Sequence, residues 1–328
     1  MSAPAPNEAL RSALARVAPG TALRDGIDRV VRAKMGALLV LSDEPSVLAI
    51  CSGGFLLDAE FTPPRLSELA KMDGAIILSA DARRIARANV HLVPDHTVPT
   101  SETGTRHRTA ERVAVSLGVP VVSVSEEMSV INVYAGGTKH QLHDIGRLLE
   151  RANQALQTLE RYKTRLDDSL SALTALEIED VVTVRDVAAV MQRGDMVRQI
   201  ADEIETMIVE LGVDARLLRL QLDEVFTSLD VELQRVIADY PAISAADGPT
   251  AADDAPASPR GLRLLARVPR LAPSGAEAIA QHFGELSKLL RATAADIAAV
   301  PGVGRSTATA VKDTLDRLTE STILDQYI

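Results

Sequence analysis

Tryptophan is absent from this chain, and phenylalanine and tyrosine supply only four residues each out of 328. So few aromatic faces argue against recognition of unpaired nucleic-acid strands by base stacking. One cysteine, Cys51, excludes an intrachain disulfide and fits a reducing cytoplasm. No apolar run reaches the roughly 18 residues that a membrane span needs. The Ala/Pro-rich start, Met1 to Asn7, lacks a charged segment followed by an apolar one and does not read as a signal peptide. Basic charge is also short: the net charge is −10. It is uneven, however. Residues 260–328 hold nine Lys/Arg and seven Asp/Glu, a balance of +2 that leaves −12 for the remainder. A local basic face can bind phosphates on an acidic protein.

What is present is apolar residue in quantity, 46% of the chain, in a length that predicts more than one domain. Residues 1–20 read as a mobile arm leading into a helix. Arg24–Met35 has Ile27, Val30, Val31 and Met35 at helical spacing. The runs Gly36–Ser42 and Val47–Cys51, parted by Asp43-Glu44-Pro45, read as two buried strands, followed by a Ser52-Gly53-Gly54-Phe55 loop. A helix is expected over Arg65–Met72, a strand over Gly74–Ser79, a short helix over Ala82–Asn89 and a strand over Val90–Val93. Thr105–Leu117 reads as a helix, and Val119–Ser125 and Ser129–Tyr134 as strands. Residues 21–138 are therefore an α/β domain with a central mixed sheet.

From 139 to 240 the pattern is helical. Ile145, Leu149, Ala152, Leu156, Leu159, Leu166 and Leu170 form a heptad-like stripe, a helical spine with breaks expected at Gly194 and Gly212. Residues 241–259 are small, acidic and Pro-containing, and read as a linker. Residues 260–328 are helical again.

The tail carries a specific short pattern. Pro301-Gly302-Val303-Gly304 makes a tight turn between helices, with positive φ expected at both glycines, and the next helix starts at Arg305. Its free N–H groups and positive dipole end can receive a phosphate with no side chain interposed. This resembles the helix–hairpin–helix DNA-binding motif. Val268-Pro269-Arg270-Leu271-Ala272-Pro273-Ser274 resembles a degenerate first copy without Gly-x-Gly, in which Arg270 compensates. Gly302, Gly304, Arg305, Arg270 and Lys312 are the expected DNA contacts, with Arg317 adding charge. Backbone contact with duplex or junction DNA, without base reading, is the favoured mode.

A second focus spans Lys71 to Glu111. Asp73 stands between a helix and an apolar strand, and Gly74 beside it permits close backbone approach to a ligand. Taken alone, Asp73 reads as a solvated turn residue. Gly104-Thr105-Arg106-His107-Arg108 changes that. Thr105 can cap the helix, and cationic residues at a helix start oppose its dipole unless an anion offsets them. Ser123, Ser125, Glu126 and Glu127 lie at a strand end, where ligand rims of α/β domains fall. His140 and His143, placed on a helix with no carboxylate near in sequence, read as structural. Ser52-Gly53-Gly54 lacks the Lys-Ser/Thr of a Walker loop, and Cys51 reads as buried rather than nucleophilic.

Asp73-Gly74-Ala75 together with Gly104-Thr105-Arg106-His107-Arg108 resembles the signature of the diadenylate cyclase family. Cys51-Ser52-Gly53-Gly54-Phe55 and Ser125-Glu126-Glu127 are similar to it as well. The order of cyclase domain, helical spine and helix–hairpin–helix tail is that of DNA-binding members of the family. The resemblance implies a bacterial enzyme that condenses two ATP into cyclic di-AMP, a second messenger, and two pyrophosphates, with Mg²⁺ or Mn²⁺. It implies that Asp73 holds the metal and positions the ribose 3′-OH. Gly74, Thr105, Arg106, His107, Arg108, Thr109 and Ser125 would bind the nucleotide, and Leu92 would pack near adenine. It further implies a homo-octamer, association with DNA in the cytoplasm or nucleoid, and lowered activity when branched DNA occupies the tail. The two-fold symmetry of the product predicts two such domains face to face. Two other readings remain open. One is a non-catalytic nucleotide-binding scaffold on DNA junctions. The other is a nucleotidyltransferase with a different acceptor, which would normally show more clustered acids.

Overall fold

The computed structural model describes residues 6–226, 229–241 and 254–325. The chain divides into two compact units, residues 1–154 with 203–220, and residues 155–202 with 221–328.

The first unit is built on a sheet. In chain order its elements are α1 (Pro6–Arg16), α2 (Ala22–Arg32), β1 (Ala37–Val40), α3 (Pro45–Ala49), β2 (Cys51–Ser52), β3 (Phe55–Glu60), α4 (Pro63–Leu69), β4 (Ala75–Leu78), β5 (Arg84–Leu92), α5 (Thr105–Leu117), β6 (Val121–Val124), β7 (Ile131–Ala135) and β8 (Thr138–Gln141). The strand order is β2-β5-β4-β1-β6-β7-β8, with β3 also pairing β5. β1 and β4 run parallel, whereas β1 and β6 run antiparallel, so the sheet is mixed as expected. The central strands β1, β4, β6 and β7 are buried along their whole length, because helices cover both faces. Strand period two sorts the side chains. Leu39, Ile76, Val122 and Val133 face Leu14, Ile27 and Leu66 on one side. Val40, Ile77, Val121 and Tyr134 face Val47, Ala110 and Val113 on the other.

Four expectations are corrected here. Residues 6–16 are not an arm: α1 packs on β7 and β8 and buries Ala13, Leu14 and Val17. Val47–Cys51 is mostly helix, because Pro45 sits in the first turn of α3, where its missing N–H is not needed. Residues 82–89 are a turn and then strand, β5 from Arg84, rather than helix. Asp81 accepts from the Ser79 hydroxyl and the Arg83 N–H, and Ala82 takes φ 56, which makes a turn that folds β5 back onto β4. Ser52–Phe55 is a bend within an edge paired to β5, with both glycines at positive φ, rather than an open loop.

Helix α6 (Ile145–Glu179) carries the expected stripe, with Ala152, Leu156, Leu159, Leu166 and Leu170 buried. Helix α7 (Val184–Leu211) runs through Gly194, which is therefore not a break. A Cβ there would stand 2.5 Å from the Leu233 side chain, so this glycine admits a close neighbour. Gly212, at φ 54, does end the helix. Helices α8 (Arg216–Phe226) and α9 (Leu229–Asp239) follow. Most of the expected linker, residues 242–253, lies outside the described residues. Its final part is not loose: Pro256 bridges to Thr183, with backbone bonds from Val184 to Ala255 and from Ala257 to Val182.

The tail packs the helices Leu262–Leu265, Pro273–Phe283, Leu286–Arg291, Ala294–Ala298 and Arg305–Asp325 around one core that includes Leu265, Ile279, Leu289, Ile297 and Val311. A buried polar group anchors its first helix. Asp239 accepts from the Leu262 and Arg263 N–H groups, while Glu177 accepts from Arg263 at 2.6 Å and from the Tyr240 hydroxyl at 2.7 Å. Burial, opposed by those backbone donors, pushes Asp239 up to about 6.

Candidate nucleotide site and DNA interface

The start of α5 is an unsatisfied anion receptor. Gly104 is the N-cap, in an extended conformation with no side-chain cap, and its carbonyl takes the first helical bond from the Arg108 N–H. The N–H groups of Thr105, Arg106 and His107 therefore have no intrahelical acceptor. Thr105 is the first helical residue rather than the cap expected for it, and the Thr109 hydroxyl donates back to the Thr105 carbonyl. No acid stands in the first turn to offset Arg106 and Arg108.

These groups face a cavity of about 630 Å³. Its walls bring together Asp73, Gly74, Leu92, Thr105, Arg106, His107, Thr109 and Ser125 from the sequence reading, with Glu126 and Glu127. Arg108 is exposed and does not line it. Asp73, between α4 and β4, is 99% exposed, and its carboxylate is 3.4 Å from the Arg106 guanidinium. Gly74 has a different reason from the one expected. A Cβ there would fall 2.6 Å from the backbone of Asn89, the residue at φ 53 in β5, so the glycine lets β5 cross close behind Asp73. The Ser125 hydroxyl accepts from the Met128 N–H and holds the turn after β6.

Several contributors were not legible beforehand. Gly36 precedes β1, and a Cβ at that position would lie 2.1 Å from Nη1 of Arg106, so the missing side chain is the berth of that guanidinium. Beneath α5 runs a polar chain. His107 Nδ1 lies 2.7 Å from the Ser123 hydroxyl and 3.3 Å from the Tyr134 hydroxyl. Tyr134 donates to Glu102 at 3.1 Å, and Lys139 pairs with the same carboxylate oxygen at 2.6 Å. Ser123 is wholly buried under His107 rather than on the rim. Burial raises the Glu102 pKa, but the bonds from Lys139 and Tyr134 outweigh it and hold the carboxyl below its usual range. Burial is also the main cause that lowers His107, opposed by Glu102 and helped by Lys139 and Arg106. The one available signal was Tyr134 itself, since a tyrosine in a buried strand requires a partner for its hydroxyl.

His140 and His143 are likewise not on a helix. His140 is in β8, His143 follows it, and their carboxylate partner is Glu210 of α7, distant in sequence. One oxygen lies 2.7 Å from His140 Nε2, and the other accepts from the His143 N–H at 2.7 Å. Burial raises Glu210, but these bonds outweigh it and the net shift is downward. With both oxygens engaged, the trio reads as a hydrogen-bonded tie. Burial raises the Cys51 thiol, so it is not an activated nucleophile.

In the tail, Gly302 takes φ 86, whereas Gly304 does not need positive φ and instead serves as the residue whose carbonyl accepts from Ala308. The first hairpin has the same backbone. Arg270 takes φ 62 where Gly302 stands in the second copy, and Ala272 accepts from Ala276 as Gly304 does from Ala308. Arg270, Gly302, Gly304 and Arg305 are all exposed. Lys312 is not free: its ammonium donates to the Leu290 carbonyl and pairs with Asp316 at 3.0 Å. Arg317 turns back onto the Asp313 carbonyl. Packing explains both, contrary to expectation.

An uncapped helix start and a carboxylate on one cavity, in a chain that also has two exposed helix–hairpin–helix turns, define a nucleotide-binding protein with a DNA-binding tail. Residues 24–139 match the family described as DisA bacterial checkpoint controller nucleotide-binding, 142–254 match the DisA bacterial checkpoint controller linker region, and 268–324 match the helix-hairpin-helix motif. The chain is 50% identical to the DNA integrity scanning protein DisA of Frankia alni, over 100% of both chains. It is 49% identical to the protein of that name from Acidothermus cellulolyticus, over 98% of this chain and 96% of that one. The figures for the protein from Kineococcus radiotolerans are 49%, 98% and 99%. The chain belongs to the DisA family, diadenylate cyclases with a helix–hairpin–helix DNA-binding tail.

Proposed function

We propose that the chain joins two ATP molecules into cyclic di-AMP at a site completed by a second copy of itself. The observation that carries this is the open cavity with the 99% exposed Asp73 on its wall. One chain offers one such carboxylate and one α5 start, while the product contains two equivalent bonds. Facing copies around a two-fold axis place each ribose 3′-OH beside the other nucleotide's α-phosphate. In each half-reaction the 3′-oxygen bonds to the α-phosphorus, the bond to pyrophosphate breaks, and the hydroxyl proton leaves to solvent.

The α5 N–H groups, Arg106 and His107 hold the triphosphate, and Arg108 adds positive charge on the same helix turn. Thr105, Thr109 and Ser125 add polar contacts, and Leu92 offers an apolar wall to adenine. Positioning of the two nucleotides supplies most of the rate. Asp73, with Glu126 and Glu127 nearby, is an all-oxygen donor set of the kind that suits Mg²⁺ or Mn²⁺. Such an ion would neutralise charge on the reacting phosphate. Assembly is proposed to reach an octamer, in the cytoplasm at the nucleoid. Among the described residues no helix is long and apolar enough to cross a membrane. Occupation of the tail by branched DNA lowers the activity.

The test is product analysis after incubation with ATP and Mn²⁺, with and without a four-way junction. Cyclic di-AMP is expected, in smaller amount with the junction. Specific activity should fall on dilution into the range where mass measurement finds single chains. Full activity in single chains would sink the face-to-face site. ATP bound but never converted would favour the scaffold reading instead.

A further inference from the structure

The polar chain under α5 favours one assignment of its protons. Glu102, held ionised by Lys139 and Tyr134, can only accept. Tyr134 therefore spends its single proton on Glu102. Its oxygen is then left only to accept, so its 3.3 Å contact with His107 requires Nδ1 to be the donor. The Ser123 oxygen, 2.7 Å from the same nitrogen, then accepts from Nδ1–H as well. The neutral imidazole consequently carries its lone pair on Nε2. The ring carbon next to that nitrogen, Cδ2, lies against Gly104 at the lip of the helix start, and the residue lines the cavity.

We propose that Glu102, Tyr134 and Ser123 are positioning residues that hold His107 as the Nδ1–H tautomer, so that an arriving triphosphate draws a proton from solvent onto Nε2. The inference rests on reading the cavity as the triphosphate site. A bare lone pair facing phosphate oxygens is repulsive; once the N–H bond forms, Nε2 donates a charge-assisted hydrogen bond instead. The groups that face His107 set the balance. Glu102, in the loop before α5, favours the charged ring, while Lys139 of β8 and Arg106 of α5 oppose it. Tyr134 of β7 stays neutral, because burial pushes its pKa upward. Asp73, Glu126 and Glu127 stand around the same cavity. With His107 lowered in the empty protein, chiefly by burial, there is room for phosphate charge to raise it. Affinity then falls as pH rises through the window between the empty and the loaded values.

The experiment is calorimetric titration of the full chain with 3′-deoxy-ATP and Mg²⁺, since this nucleotide lacks the attacking hydroxyl. It is run in buffers of different ionisation enthalpy to count protons. Wild type should take up as much as about one proton per bound nucleotide where His107 changes state. Tyr134→Phe removes the oxygen that requires Nδ1–H, so the Ser123 hydroxyl can donate to Nδ1 and the ring proton moves to Nε2. That variant should bind with little or no uptake, whereas a merely structural tyrosine would lower affinity and leave the uptake in place. Glu102→Gln, which removes the charge and keeps the shape, should also reduce uptake. Binding without uptake in wild type, or equal uptake in wild type and both variants, overturns the proposal while the nucleotide site stands. Absence of binding in wild type overturns both.

Discussion

The start of α5 and the start of the last tail helix are chemically alike. Each follows a glycine, each leaves backbone N–H groups without helical acceptors, and each has an arginine in its first turn. They differ in what stands behind them. The α5 start has a cavity in front and a polar chain beneath, with Arg106 seated where Gly36 has no side chain. The tail turn stands on open surface: a Cβ added at Gly302 or Gly304 would meet nothing within 4 Å. One helix start is walled, as suits a small polyanion. The other presents its turn glycines to solvent, as suits an extended backbone of phosphates. Helix starts give anion affinity, and the surroundings decide which anion.

The largest effect that would break this comparison is at the walled site. Asp73→Asn should lower the rate of cyclic di-AMP formation by about a hundredfold or more, the scale of removing a group that acts on transition-state charge. Its melting temperature should be unchanged, because a 99% exposed carboxylate supports no packing. Near wild-type turnover would remove Asp73 from the mechanism. At the open site, Gly302→Val forces a β-branched residue to φ 86, a strain of about 1–2 kcal/mol. Junction-DNA affinity, measured by fluorescence anisotropy, should drop roughly tenfold for that distortion, with cyclase activity in the absence of DNA retained. Equal affinity would show that the turn is not the contact.

Salt sharpens the contrast. DNA binding should weaken steeply as salt rises, in proportion to the phosphates neutralised. Nucleotide affinity, set partly by backbone donors in a cavity, should weaken less. Equal slopes in parallel titrations would contradict the distinction drawn here. A smaller effect is expected from Gly36→Ala, whose methyl displaces the mobile end of Arg106. The KM for ATP should rise a few-fold, with stability little changed. The smallest effect tests the Glu210 tie. A carboxyl with depressed folded pKa contributes stability above its unfolded value, and this is lost as pH falls through the folded value. Glu210→Gln should therefore flatten the acid limb of a melting-temperature profile against pH.

Sequence reading reached furthest where local pattern and function coincide. The bounds of α5, the buried strands β1, β4, β6 and β7, the stripe on α6 and the hairpin at Gly302 all follow from periodicity and turn chemistry. It failed where a neighbour decides. Residues 82–89 resemble a helix until the Asp81 turn lays them on β4. Lys312 counted as a free cation until Leu290 and Asp316 took its ammonium. The first hairpin looked degenerate for want of Gly-x-Gly, yet Arg270 takes there the backbone conformation that Gly302 has in the second.

By itself the sequence determined that a cationic helix start would exist at Gly104–Arg108, and that an exposed carboxylate would precede a buried strand. Those are properties of neighbouring residues along the chain. Only the tertiary structure decided that Asp73 and Arg106 share one cavity, that Gly36 and Gly74 are the gaps that allow it, and that Ser123, Tyr134 and Glu102 stand beneath His107. Each depends on strands distant in sequence lying side by side, and spacing along a chain does not encode which side chain a sheet will place under which helix.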